Sequence, residues 1–156
     1  VGEEGGKTQF PYLKDPNTGE NMYESDEIVR YLFKQYGKGS VPFLYAGGPV
    51  YLLTSSIGIP LRGMKGMRYI PSRKPEQPLE LYSMEGSPYC RIVRETLSSL
   101  EIPYVLHNVG KNSPSRAAFV ERSGKMMVPY LVDPNTGTEM FESADIKNYL
   151  LATYAA

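Results

Sequence analysis

A mixed α/β fold is predicted from three observations. A hairpin-then-helix pattern occurs twice, strand and helix patterns alternate ahead of its second occurrence, and the composition can fill a core. Residues 6–37 and 124–155 align without gaps at an offset of 118, with 17 of 32 positions identical. The shared core reads PYLxDPNTGxxMxES, followed by Ile, Tyr and Leu at helical spacing. A repeat of this length marks a duplicated structural unit. At 41% apolar and 12% aromatic residues the chain is not expected to be disordered.

In the second copy, Pro129-Tyr130-Leu131-Val132 is a short apolar run suited to a strand. Asp133-Pro134-Asn135-Thr136-Gly137 is a turn, since Pro presets φ and Gly supplies a positive φ. Residues 138–141 return as the partner strand. Ser143 is expected to cap a helix whose inner stripe holds Ile146, Tyr149 and Leu150. The first copy repeats this with strands at 11–14 and 20–23 and a helix from Ser25 carrying Ile28, Tyr31 and Leu32. Such a hairpin and helix cannot bury a two-sided sheet alone, so each needs companions.

The second copy has companions upstream. Residues 79–82 read as a strand. Gly86-Ser87-Pro88 opens a helix, with Pro88 at the first helical position and Ile92, Val93, Thr96, Leu97 and Leu100 as its apolar face. Residues 102–109 give a second strand. Residues 113–123 give a second helix, with Ala117, Ala118 and Val120 inward. The order over 79–156 is therefore β-α-β-α-β-β-α. The expected organisation is a partial β-β-α module at 1–37, a linker at 38–78 and a complete module at 79–156. The partial module is expected to reflect a removed N-terminal part or completion by another polypeptide. Starting at Val1 without an initiator Met, the chain is expected to be a processed protein or a fragment.

Composition excludes several functions. Seventeen basic residues balance seventeen acidic ones, which argues against a nucleic-acid partner, for which a basic face is needed. One Cys forbids an intramolecular disulfide, and one Cys with one His cannot build a typical zinc site, so no metal is expected.

Three motifs in 79–156 carry a resemblance. Gly86-Ser87-Pro88-Tyr89-Cys90-Arg91 resembles the active-site turn of glutaredoxins and glutathione transferases, Val128-Pro129 their cis-proline element, and Glu142-Ser143 their glutamate–serine pair at the start of the third helix. With the element order, they make the segment similar to the thioredoxin-like fold of the glutathione transferase N-terminal domain. The paired PYLxDPNTG copies further resemble plant and algal plastid proteins with two such domains. The resemblance implies glutathione as ligand or cosubstrate and a plastid location, stromal or thylakoid-associated. Fold by itself does not fix activity.

The resemblance implies roles for individual residues. Ser87, at a helix N-terminus, is placed to donate a hydrogen bond to a glutathione thiolate; a plain N-cap serves equally well. Cys90 takes the second position of a dithiol motif whose first Cys is here Ser87. Disulfide exchange within the motif is thus excluded, leaving a small buried side chain or a monothiol role. Val128 and Pro129 would hold the cysteinyl unit through backbone groups. Glu142 and Ser143 would hold the γ-glutamyl end. Lys125 would meet the glycyl carboxylate, although Met126 and Met127 stand where many relatives carry Lys. His107 is expected to be structural, with no obvious partner.

The linker holds an uncharged stretch from residue 39 to 61, in which 11 of the 19 residues 43–61 are apolar. It is expected to form a helix packed between modules or against a partner, with membrane insertion as the alternative. Residues 70–78, with three prolines, read as an extended connector. Two functions stand side by side. One is glutathione or peptide-thiol binding, with serine-type transferase or thiol chemistry. The other is a noncatalytic scaffold subunit of a plastid membrane complex, whose partner completes the first module or contacts residues 43–61.

Overall fold

A computed structural model describes residues 6–42 and 68–156. The chain divides into two compact units, Val1–Ile59 and Pro60–Ala156. The apolar stretch 43–61 and its expected helix lie outside the described residues. Among the described residues, no helix is long and apolar enough to cross a membrane.

The first unit contains β1 (Tyr12–Lys14), β2 (Asn21–Tyr23) and α1 (Ser25–Gln35). The strands pair antiparallel, with Leu13 opposite Met22. The turn between them is held by Asp15, whose Oδ1 accepts from the Asn17 amide at 2.9 Å. Gly19, with φ 77°, supplies the left-handed residue that closes the turn.

The second unit contains β3 (Leu79–Ser83), α2 (Pro88–Ser99), β4 (Tyr104–Asn108), α3 (Ser115–Ser123), β5 (Tyr130–Asp133), β6 (Thr138–Met140) and α4 (Ser143–Tyr154). Its sheet order is β4-β3-β5-β6. β3 runs parallel to β4 and antiparallel to β5, and β5 antiparallel to β6. This is the thioredoxin-like arrangement that the sequence predicts.

Period-two alternation explains the two faces of the sheet. Leu79 and Leu81 are fully buried on one face, where they pack with Val93, Leu97 and Leu100 around α2 and with Ile146 and Leu150 of α4. Each such side chain stabilises the unit by about 1.5–3 kcal/mol relative to exposure. On the other face Tyr82, Tyr130 and Val132 meet Phe119 of α3. The connector joins this unit through backbone bonds, Ile70 N–H to Ser99 at 2.7 Å and Arg73 N–H to Tyr154 at 2.8 Å.

Expectations about two helix faces and about the helix caps are corrected. Ala117 and Ala118 are exposed and Val120 is only half-buried, while Phe119 is buried. The large ring takes the single inward position of this short helix. Ile92 is 41% exposed, and Cys90 takes the inward place at the first turn of α2. The caps also differ: α4 starts from Glu142 at φ 67° and α1 from Glu24 at φ 68°, and neither makes a side-chain cap bond. Ser143 and Ser25 are first helical residues. The sharp reversal from strand to helix forces a left-handed residue ahead of the Ser, so the cap slot falls on Glu.

Candidate functional site

Strand register brings the candidate residues to one end of the sheet. Tyr82, near the C-terminal end of β3, faces Tyr130 at the N-terminal end of β5. Leu131 faces Met140 at the C-terminal end of β6. The turn that follows β3, the Val128-Pro129 bond that precedes β5, and the Glu142-Ser143 pair that follows β6 therefore share that end. β4 ends there too, because Asn108 is level with Ser83.

Ser87 caps α2 and is almost fully buried. Its Oγ accepts from the Cys90 amide at 3.3 Å. That bond uses a lone pair and leaves the hydroxyl proton as a donor, so capping and donation to an anion are compatible. Ahead of it, an ion pair between Arg94 and Glu85 fixes the turn; the hydrogen bond from Arg94 holds the Glu85 carboxyl below its ordinary range. Cys90 is a fully buried free thiol.

The Val128-Pro129 peptide is cis, as is Phe10-Pro11 in the first unit. Pro129 is buried and Val128 half-buried. Val128 lies two residues before Tyr130, the first residue of the β5 ladder. Glu142 is exposed, while Ser143 is buried at the start of the twelve-residue α4, whose N-terminal amides favour a negative group. Lys125 is exposed, and its Nζ lies 4.3 Å from the centroid of the Phe141 ring, which packs tilted at 43° against Tyr130 with centroids 4.5 Å apart. The ring fixes the ammonium beside the strand that leads into Glu142. Tyr130 hydrogen-bonds Glu139; burial first, and then that bond, push its hydroxyl up to about 12.

His107 has partners, contrary to expectation. Its Nε2 is 3.1 Å from Glu80 Oε2, and its ring stacks on Tyr82 at 4.4 Å. The parallel β3–β4 register places His107 beside Tyr82, two positions along β3 from Glu80; sequence spacing across a helix crossover conceals that neighbourhood. Among the described residues no group of His, Cys, Asp and Glu has the arrangement to hold a metal ion.

A second structural node was not anticipated. Asp133 is fully buried and accepts from the Tyr149 hydroxyl at 2.6 Å, the Tyr154 hydroxyl at 2.5 Å, and the Asn135 amide and side chain at 2.9 Å each. Burial alone would raise this carboxyl, yet the hydrogen bonds outweigh it and hold it below its ordinary value. Burial, and then the bond to Asp133, raise both tyrosines. The first unit repeats the node with Asp15, Tyr31, Tyr36 and Asn17. Its signal was present in the sequence: an Asp followed by Tyr at +16 and +21 in both copies.

Comparison with known proteins places these features in a family. The glutathione S-transferase N-terminal domain profile matches residues 3–40 and 81–156. Among the curated proteins, none matches. A Bombyx mori glutathione transferase is 26% identical, with TM-score 0.44, over 53% of this chain and 38% of its own. A Drosophila melanogaster glutathione transferase is 33% identical, with TM-score 0.42, over 49% and 35%. A glutathione transferase homologue from Drosophila mojavensis, solved with bound glutathione, is 26% identical, with TM-score 0.41, over 48% and 34%. The chain thus covers less than two-fifths of the length of each of these structures. With most of its length matched, in two segments that both carry the cis-proline and glutamate–serine elements, the chain belongs to the glutathione S-transferase N-terminal domain family.

Proposed function

We propose that residues 79–156 bind glutathione or a related thiol peptide, with Ser87 as hydrogen-bond donor to the thiolate in serine-type transferase or thiol chemistry. The observation that carries this reading is the convergence of Ser87, the cis Val128-Pro129 bond and the Ser143 helix N-terminus at one end of the sheet. The Ser87 proton would stabilise the thiolate while its oxygen keeps the cap. Val128 would pair with the cysteinyl backbone. Ser143 and the amides of α4 would take the γ-glutamyl carboxylate, and Glu142 its ammonium. Lys125, steadied over Phe141, would meet the glycyl carboxylate. The buried Cys90 would support packing rather than chemistry. Support comes also from family membership and from the bound glutathione of the Drosophila mojavensis homologue.

The test is a glutathione titration of the full chain by chemical-shift change, with Ser87→Ala alongside. Saturation at millimolar ligand with shifts at Val128 and Ser143 is expected, and Ser87→Ala should lower conjugation of a model electrophile at least tenfold. Absence of shifts, or unchanged turnover in Ser87→Ala, defeats the respective part.

A second reading, a noncatalytic scaffold in a plastid membrane complex, is favoured by one observation. The first unit leaves Leu32 at 38% and Tyr36 at 55% exposure, an apolar face suited to a partner. The plastid location rests on the duplicated PYLxDPNTG resemblance alone. Cofractionation of the protein with stroma or with thylakoid complexes tests both; recovery outside plastids overturns them.

A further inference from the structure

The outer strand of the second unit carries a pattern that is complementary to itself. β4 stands at one end of the order β4-β3-β5-β6. Edge strands are ordinarily guarded by charge, proline or a bulge. Residues 102–110 read IPYVLHNVG, without Lys, Arg, Asp or Glu, and Pro103 lies just ahead of β4 rather than in it. Val105 is 47% and Leu106 50% exposed. Leu106 is level with the buried Leu81, on the side of α2 and α4. Val105 is level with Glu80, on the side where Tyr82 meets α3. Apolar surface is thus exposed on both faces of this edge.

Backbone bonds decide which groups face outward. Leu79 N–H donates to the Pro103 carbonyl at 3.1 Å, and Val109 N–H to the Ser83 carbonyl at 3.0 Å. In a parallel ladder the bonding residues alternate, so Val105 and His107 turn their backbone groups to β3, and Tyr104, Leu106 and Asn108 turn theirs to the open side. The Asn108 carbonyl accepts from Ser113 Oγ at 3.2 Å and keeps its second lone pair. Of the two-fold antiparallel registers open to this strand, the one centred on Leu106 pairs all five of its residues and sets each outward group against another. Leu106 then lies opposite its own copy, Val105 opposite His107 of the second copy, and Tyr104 opposite Asn108. Glu101 and Lys111, both exposed, stand at equal distances on either side of Leu106, so each acid meets a base of the other copy at the ends of the ladder. A neutral strand flanked symmetrically by one acid and one base fits a second copy of itself, and an unrelated partner would not call for that symmetry. We propose that the chain self-associates through β4, joining two four-stranded sheets about a two-fold axis at Leu106. The antiparallel pairing sets the two candidate sites at opposite ends of the joined sheet, so neither covers the other. Five residues from each copy make a small contact, and the dimer is accordingly weak and concentration-dependent.

The test is sedimentation velocity of the full chain from micromolar to millimolar concentration, with amide exchange followed on the same samples. A monomer–dimer equilibrium is expected. Exchange should slow with concentration at Tyr104, Leu106 and Asn108 and stay constant at Val105 and His107, whose amides bond β3 in either state. Leu106→Lys, at an exposed position, should weaken the dimer at least tenfold by setting like charges directly opposite each other. Lys111→Glu should weaken it about threefold, and the double variant Glu101→Lys, Lys111→Glu should recover the loss by exchanging acid and base. These two variants lie in exposed turns and decide the matter even where Leu106→Lys fails to fold. A monomer throughout, a folded Leu106→Lys that dimerises as the wild type does, no loss in Lys111→Glu, or no recovery in the double variant would each overturn the proposal.

Discussion

Replacing Asp133 with Ala removes the acceptor at the centre of the second unit. Four hydrogen bonds converge on this fully buried carboxylate, two from tyrosine hydroxyls and two from Asn135. Hydrogen bonds to a charged group contribute about 1.5–3 kcal/mol each, and a buried donor left unpaired costs about 1–3 kcal/mol. The sum is not additive because the donors share one acceptor. Burial of the charge itself opposes the gain, and Asn135 lies at an exposed turn where water replaces its bonds. A loss of about 3–5 kcal/mol remains, chiefly from Tyr149 and the buried Tyr154, a large part of an ordinary domain's stability. Urea unfolding followed by far-ultraviolet circular dichroism and tyrosine fluorescence measures it, since the chain has no Trp. The pH profile gives an independent readout. The folded-state carboxyl lies below its ordinary value, so its contribution is present above the unfolded pKa of about 3.9 and lost as pH falls through the lower folded one. The tyrosines are raised; their contribution is present below about pH 10 and lost as pH rises through their folded values. Asp133→Asn should therefore show a shallower acid limb than the wild type. A loss below about 1 kcal/mol in Asp133→Ala, or an unchanged acid limb in Asp133→Asn, refutes the assignment of the node as what ties α4 to the hairpin.

Phe119→Ala should cost about 3–5 kcal/mol, because it removes the buried ring between α3 and the sheet. Ala118→Lys, one residue earlier and exposed, should stay within about 0.5 kcal/mol; equal effects in urea titrations would contradict the corrected face of α3. Glu142→Gly should leave stability unchanged or raise it by up to about 1 kcal/mol, since Gly relieves the positive φ. The same variant should weaken glutathione binding through loss of the carboxylate, as read by titration. Ser87→Ala should lower stability by about 0.5–2 kcal/mol through loss of the cap to Cys90, with earlier loss of helical signal in the melt.

Local patterns were legible where one physical rule dominated. The PYLxDPNTG turn, the Pro88 helix start and the Leu79–Leu81 alternation each follow from short-range preference or burial periodicity, and they recur in the structure. The cap positions were not legible, because Ser is the better capping side chain by intrinsic preference. The fold instead demands a left-handed residue between β6 and α4, and that demand is tertiary. Phe119 was missed for a related reason: a nine-residue helix covering one side of a sheet has room for a single large inward residue, and flanking alanines do not reveal which turn faces in. His107 and the Asp133 node depend on register between strands far apart in sequence, so their partners emerge only once the sheet is assembled. Ser87, Val128-Pro129 and Glu142-Ser143 carry the motifs, and the strand register explains why such separated pieces lie toward the same end of the sheet.

The Ser87–Cys90 bond has a practical consequence. Cys90 is the chain's one sulfhydryl, it is fully buried, and its amide donates to the Ser87 oxygen at 3.3 Å. A thiol reagent reaches it only when the first turn of α2 opens, so the labelling rate of the unmodified protein clocks that opening without an engineered probe. A ligand gripping the Ser87 hydroxyl would hold the turn closed and slow the clock in proportion to its occupancy. The cysteine that carries no chemistry in the proposed site thus becomes the gauge by which occupation of that site can be timed.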